Sequence, residues 1–114
     1  MNKGVRVIVY PVKDVAAAKD LYRTLLGTEP YVDAPYYVGF RVGDQEIGLD
    51  PHGHQQGLTG PIGYRQVEDI KESLDLLRSA GAQVQQDVRD VGGGKLIAWV
   101  KDADGNVTGL TQSP

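Results

Sequence analysis

The chain has 114 residues, a net charge of −3 and no cysteine. Its length fits a single domain, 1–114, able to bury roughly 65% of its unfolded surface without staples. The lack of cysteine excludes disulfides, thiolate metal sites and cysteine nucleophiles. Charges of both signs are interspersed with no basic stripe, which argues against nucleic acid and anionic membrane as partners.

The N-terminal segment MNKGVRVIVYPVKD has too short an apolar run for a signal peptide, and no run reaches transmembrane length, so the expected setting is cytoplasmic. Val5–Val12 is rich in β-branched residues and predicts a strand that Pro11 brings to an end. Asp14 stands at an N-cap position, apolar residues at 15, 18, 21, 22 and 25 follow helical spacing, and Gly27 closes the helix. Short strands follow in PYVD, YYVGFRV and EIGLD, with Gly43–Gln45 as the turn between the last two. Pro51–Pro61 lacks periodicity and reads as a flexible linker.

After the linker the pattern restarts. Ile62–Val67 predicts a strand, Asp69 caps a helix carrying Ile70, Leu74 and Leu77, and Gly81 ends it. AQVQQDV alternates as a half-exposed strand. Gly92–Lys95 lacks the Walker spacing and reads as a bend. KLIAWVK and NVTGLTQ form a hairpin around DADG, a turn signal rather than a calcium loop, because Ser113 stands where a distal Glu would be needed. Val12 and Asp14 recur as Val67 and Asp69, both 55 residues on, and Gly48-Leu49 recurs as Gly109-Leu110, 61 residues on. This internal repeat predicts an α+β fold. Two βαβββ modules, 4–50 and 62–112, form a curved mixed eight-stranded sheet around a cleft, with the helices outside.

The two halves, with V-x-D…LY…LLG in the first and D-A-D-G-N-x-x-G-L in the second, resemble the vicinal oxygen chelate superfamily, which holds glyoxalase I, extradiol dioxygenases and bleomycin-resistance proteins. The resemblance runs from about Val5 to Gln112. In metal-using members it implies a His seven residues before the capping Asp and a Glu three residues after the Asn of the DGN turn. Those places, with their repeat equivalents, are Val7, Ile62, Gly109 and Gly48 here, and none can coordinate an ion. The expectation is therefore no metal and no cofactor, in an apolar, roomy cleft.

Parity with Val7, Gly48 and Ile62 sets Val9, Glu46, Asp50 and Tyr64 toward the cleft and Ile8, Tyr10 and Val12 toward the helices. Phe40 and Trp99 join the ligand-binding set as strand aromatics, as do Gly48 and Gly109 as open floor; Tyr36 and Tyr37 are also placed in strands. Glu46 is the candidate base or acceptor for a ligand amine. His52 and His54 sit in the linker rather than on a strand, Tyr22 reads as core, and Arg41 and Arg65 as surface residues. The functional expectation is a metal-independent small-molecule binding protein of the bleomycin-resistance type, taking a flat or amphipathic ligand. Its rivals are a glyoxalase-like lyase or dioxygenase-type enzyme with a non-standard site, and a dimeric domain with a vestigial cleft. The resemblance also implies a homodimer, with modules open to exchange between chains.

Overall fold

The computed structural model describes residues 2–114, with side chains from residue 4 onward; Met1, the first residue of the N-terminal run, lies outside the described residues. The elements in order are β1 (Asn2–Pro11), α1 (Val15–Leu26), β2 (Val32–Ala34), β3 (Tyr37–Val42), β4 (Gln45–Asp50), β5 (Ile62–Val67), α2 (Ile70–Ser79), β6 (Gln83–Asp90), β7 (Leu96–Lys101) and β8 (Val107–Gln112). The eight strands pair in mixed fashion, β1 with β4 and β5 with β8 in parallel and the hairpin pairs antiparallel, which gives the α+β class the repeat predicts. The chain divides into two compact units, Arg6–Ile62 and Gly63–Pro114, the latter joined by the start of the chain up to Val5.

In the first unit the strands run β2-β3-β4-β1. The Asp14 carboxylate accepts a hydrogen bond from Ala17 N–H and so caps α1, as a short polar side chain at that place should. At the other end Gly27, at φ 68°, turns the chain left-handed and donates its N–H to Arg23. Val15, Ala18, Tyr22 and Leu26 of α1 pack on Val38, Phe40 and Leu49, with Tyr10 and Val12 of β1 and its continuation beside them. Tyr10, Val12 and Tyr22 thus lie where parity and spacing set them. Phe40 is a correction: it shares the parity of Val38, is fully buried under α1, and so lines no ligand face. Tyr36 is another, since it stands in the turn before β3 and is exposed.

The linker also differs from its expectation. A 3₁₀ turn covers His54–Gln56, and Gly53 and Leu58 are buried. A Cβ at Gly53 would stand 2.7 Å from Pro11 Cβ, so the segment packs tightly on the end of β1. Asp50 Oδ1 accepts His52 N–H at 2.8 Å and starts this turn.

In the second unit the order is β5-β8-β7-β6. Asp69 accepts Glu72 N–H as the cap of α2. Ile70 and Leu74 of that helix pack on Val67, Ala98, Val100 and Leu110. Bulges interrupt β6 opposite β7, a device that blunts an edge strand against pairing with another chain. Gly92, Gly93 and Gly94 all adopt positive φ, so the GGG stretch is the bend its composition predicts. Among the described residues no helix is long and apolar enough to cross a membrane.

Candidate functional site

In the first unit the sheet face turned away from α1 carries Val7 and Val9 from β1, Tyr37, Gly39 and Arg41 from β3, and Glu46 and Gly48 from β4. Register fixes this set: Val7 pairs with Glu46, Val9 with Gly48, Gly39 with Gly48 and Arg41 with Glu46. The Gly39–Gly48 pair makes a trough in the sheet, because two neighbouring positions lack side chains.

Two tyrosine rings fill that trough. A Cβ at Gly48 would come within 2.6 Å of Tyr37 Cζ, and one at Gly39 within 3.2 Å of Tyr31 Cε1. Tyr31 reaches in from the segment before β2, held by its N–H donating to Gly39 O at 2.9 Å. Both hydroxyls converge on Glu46: Tyr31 donates to Oε1, and Tyr37 donates to Oε2 at 2.6 Å. The expected roomy floor at Gly48 is therefore a correction; the glycine is open only to its own tyrosine.

Arg41 completes the cluster. Its guanidinium lies 4.4 Å from the centroid of the Tyr31 ring and 4.0 Å from Glu46 Oε1. The Glu46 side chain is only 16% exposed, whereas that of Arg41 is 62% exposed. Burial first, and then the Glu46 carboxylate, push the Tyr31 hydroxyl above the ordinary tyrosine pKa, with Arg41 pulling the other way. The phenol therefore stays protonated and donates. Glu46, the sequence's candidate, stands at the centre of this cluster. Tyr31 was missed, and Arg41, read as a surface residue, is its third wall. The signal that could have found them is the Gly39–Gly48 register, since paired glycines in a sheet interior invite an aromatic cover.

In the second unit the face away from α2 carries Tyr64, Trp99, Gly109 and Thr111. Tyr64 pairs with Gly109, and Trp99 pairs with Gly109 from the other side. A Cβ at Gly109 would meet Tyr64 Cδ1 at 2.5 Å, so here too a tyrosine ring fills the place of the missing side chain. Trp99 Nε1 donates to the Tyr64 hydroxyl at 2.7 Å, both rings being buried. Thr111 is 5% exposed, and its hydroxyl has no hydrogen-bond partner. Ile62, the strand residue before this unit, is fully buried.

These donors do not fit a divalent ion. Val7 and Ile62 are aliphatic, Gly48 and Gly109 carry no side chain, and tyrosine rings occupy the room a carboxylate there would need. Among the described residues no three His, Asp or Glu side chains gather in one place.

The family model described as Glyoxalase/Bleomycin resistance protein/Dioxygenase superfamily matches residues 4–110. A search of curated proteins gave no match. Among solved structures the chain is similar to one described as an NAD-dependent benzaldehyde dehydrogenase from Legionella pneumophila, at 17% identity over 95% of this chain and 98% of that one, with a TM-score of 0.77. It is similar to a glyoxalase/bleomycin resistance protein/dioxygenase superfamily member from Vibrio splendidus 12B01, at 15% identity over 96% and 100% of the two chains, with a TM-score of 0.74. It is also similar to methylmalonyl-CoA epimerase from Mycobacterium tuberculosis, at 18% identity over 99% and 90%, with a TM-score of 0.73. At these identities the likeness is one of fold.

Proposed function

The chain belongs to the glyoxalase/bleomycin resistance protein/dioxygenase superfamily, and from that premise we propose that it is a metal-independent small-molecule binding protein. The observation that carries this reading is the filling of both glycine positions by tyrosine rings, which replaces ion donors with aromatic surface and hydroxyl groups. The binding face of the first unit combines aliphatic Val7 and Val9 with the Tyr31 and Tyr37 rings and one polar anchor, Glu46. Such a surface suits a flat or amphipathic ligand that stacks with its body and is oriented by one hydrogen bond. Protection or transport by such a protein works by mass action, with no bond broken. The reading includes a homodimer, to be checked by sedimentation equilibrium.

A second reading is a metal-free enzyme with Glu46 as general base. It is favoured by the largely buried carboxylate held between two phenols and by the fold shared with methylmalonyl-CoA epimerase.

The test is a thermal-shift screen of chelator-treated protein against bleomycin and a panel of planar aromatic compounds. A ligand at a hundredfold excess over its Kd adds roughly 2.7 kcal/mol of stability. Saturable binding with the compound recovered unchanged supports the binding protein. Turnover of the bound compound by the chelator-treated protein selects the enzyme. No shift with any compound overturns both.

A further inference from the structure

We propose that the Tyr31–Glu46 cluster is a receptor for a planar cationic group, an amidinium or guanidinium, and that Arg41 is a displaceable stand-in for it. The inference rests on the binding reading above and names the chemistry of the ligand.

Three observations carry it. Glu46 is a carboxylate with its side chain 16% exposed, and its hydrogen bonds from Tyr31 and Tyr37 come from neutral donors. A largely buried anion calls for a counter-charge, since desolvation is costly without one. Among the described residues the nearest cation, Arg41, lies 4.0 Å from Oε1, beyond hydrogen-bonding distance, so it offsets the charge only from afar. Finally, Arg41 lies over the Tyr31 ring at 4.4 Å from its centroid, the position a planar cation takes on an aromatic face.

The side chain of Arg41 is 62% exposed, so moving it out into water disturbs no packed core. Arg41 is tethered to β3 directly cross-strand from Glu46, and its guanidinium lies on the Tyr31 ring, short of hydrogen-bonding distance to the carboxylate. A free amidinium has no such tether. It can lie on the same ring and approach Glu46 closely enough to donate, because each carboxylate oxygen keeps a second lone pair after accepting one phenol. The Tyr31 hydroxyl, held protonated by burial and by Glu46, stays a donor throughout and does not compete as an anion.

The experiment titrates the intact protein with benzamidine, benzamide and benzoate, which share one shape and carry positive, no and negative charge. It does so for the native chain, Arg41→Met and Glu46→Gln. Benzamidine is expected to bind about tenfold more tightly than benzamide, the scale of a partly desolvated cation–π contact. Arg41→Met is expected to strengthen benzamidine severalfold and leave benzamide unchanged. Glu46→Gln is expected to erase the preference. Arg41 is exposed, so its variant reads the site even where Glu46→Gln folds poorly. A preference for benzoate that disappears in Arg41→Met overturns the inference and makes Arg41 an anion receptor. Equal binding of benzamidine and benzamide, or weaker benzamidine binding by Arg41→Met, overturns it as well. If none of the three probes binds but another planar compound does, this inference falls and the binding reading stands. If nothing binds at all, both fall.

Discussion

Tyr37 and Gly48 compete for one volume: a Cβ on the glycine would lie 2.6 Å from the tyrosine Cζ, closer than carbon atoms can stand. Gly48 is not among the glycines with positive φ, so its backbone suits any residue and the constraint is the ring alone. Gly48→Ala is therefore expected to destabilise the protein by about 1–3 kcal/mol, the usual cost of overpacking. The same substitution in a Tyr37→Leu background should cost far less. A double-mutant cycle by urea denaturation measures the coupling. Full additivity would mean that the ring does not hold the glycine in place.

In the second unit the partners are Trp99 and Tyr64, hydrogen-bonded at 2.7 Å with Trp99 only 3% exposed. Tyr64→Phe removes the acceptor and leaves a buried indole N–H without its bond. The expected loss is about 1–3 kcal/mol, and the same substitution in a Trp99→Phe background should cost less, because no indole N–H is then left without its bond. Because Trp99 is the only tryptophan, its emission also reports the loss directly.

The caps of both helices were legible because capping is local: Asp14 and Asp69 each meet an N–H three residues on, a relationship written in spacing alone. The face shared by Glu46 and Gly48 was legible for the same reason, since strand side chains alternate. What fills that face was not. Tyr31 lies outside any strand and reaches Glu46 through a backbone bond to Gly39, eight residues away and across a turn. Phe40 lies on the helix side with Val38, and a lone aromatic in a short strand does not reveal this, because one step along β3 separates the buried side from the open one. The sequence also marks glycine as room, whereas a neighbouring aromatic ring can claim that room first.

The segment between the repeats carries a prediction that a flexible linker would not. Leu58 is 3% exposed, and Gly53 sits against Pro11 with its backbone only 3.1 Å from where a Cβ would be. Leu58→Ala is expected to cost about 2–5 kcal/mol, as for other buried leucines. Substitution of the neighbouring exposed Gln55 by Ala should fall within about 0.5 kcal/mol of zero. Comparable small effects at both positions in denaturant titrations would restore the linker reading.

The turn before β8 supplies a pH dependence of known sign. Asp102 accepts hydrogen bonds from the side chain and backbone of Asn106 and from Asp104 N–H, and the Asn106 bonds foremost lower its pKa below the ordinary 3.8. The unfolded chain therefore binds a proton at Asp102 more readily than the folded one, and stability rises with pH through this window. The contribution is present in full above pH 3.8 and is lost as pH falls through the lower folded value. Asp102→Ala should be less stable than the native chain at neutral pH, and the gap should narrow on acidification below the ordinary aspartate value. Equilibrium unfolding of both chains between neutral and acid pH checks this; a gap that stays constant would show that the carboxylate's charge is not what the turn uses.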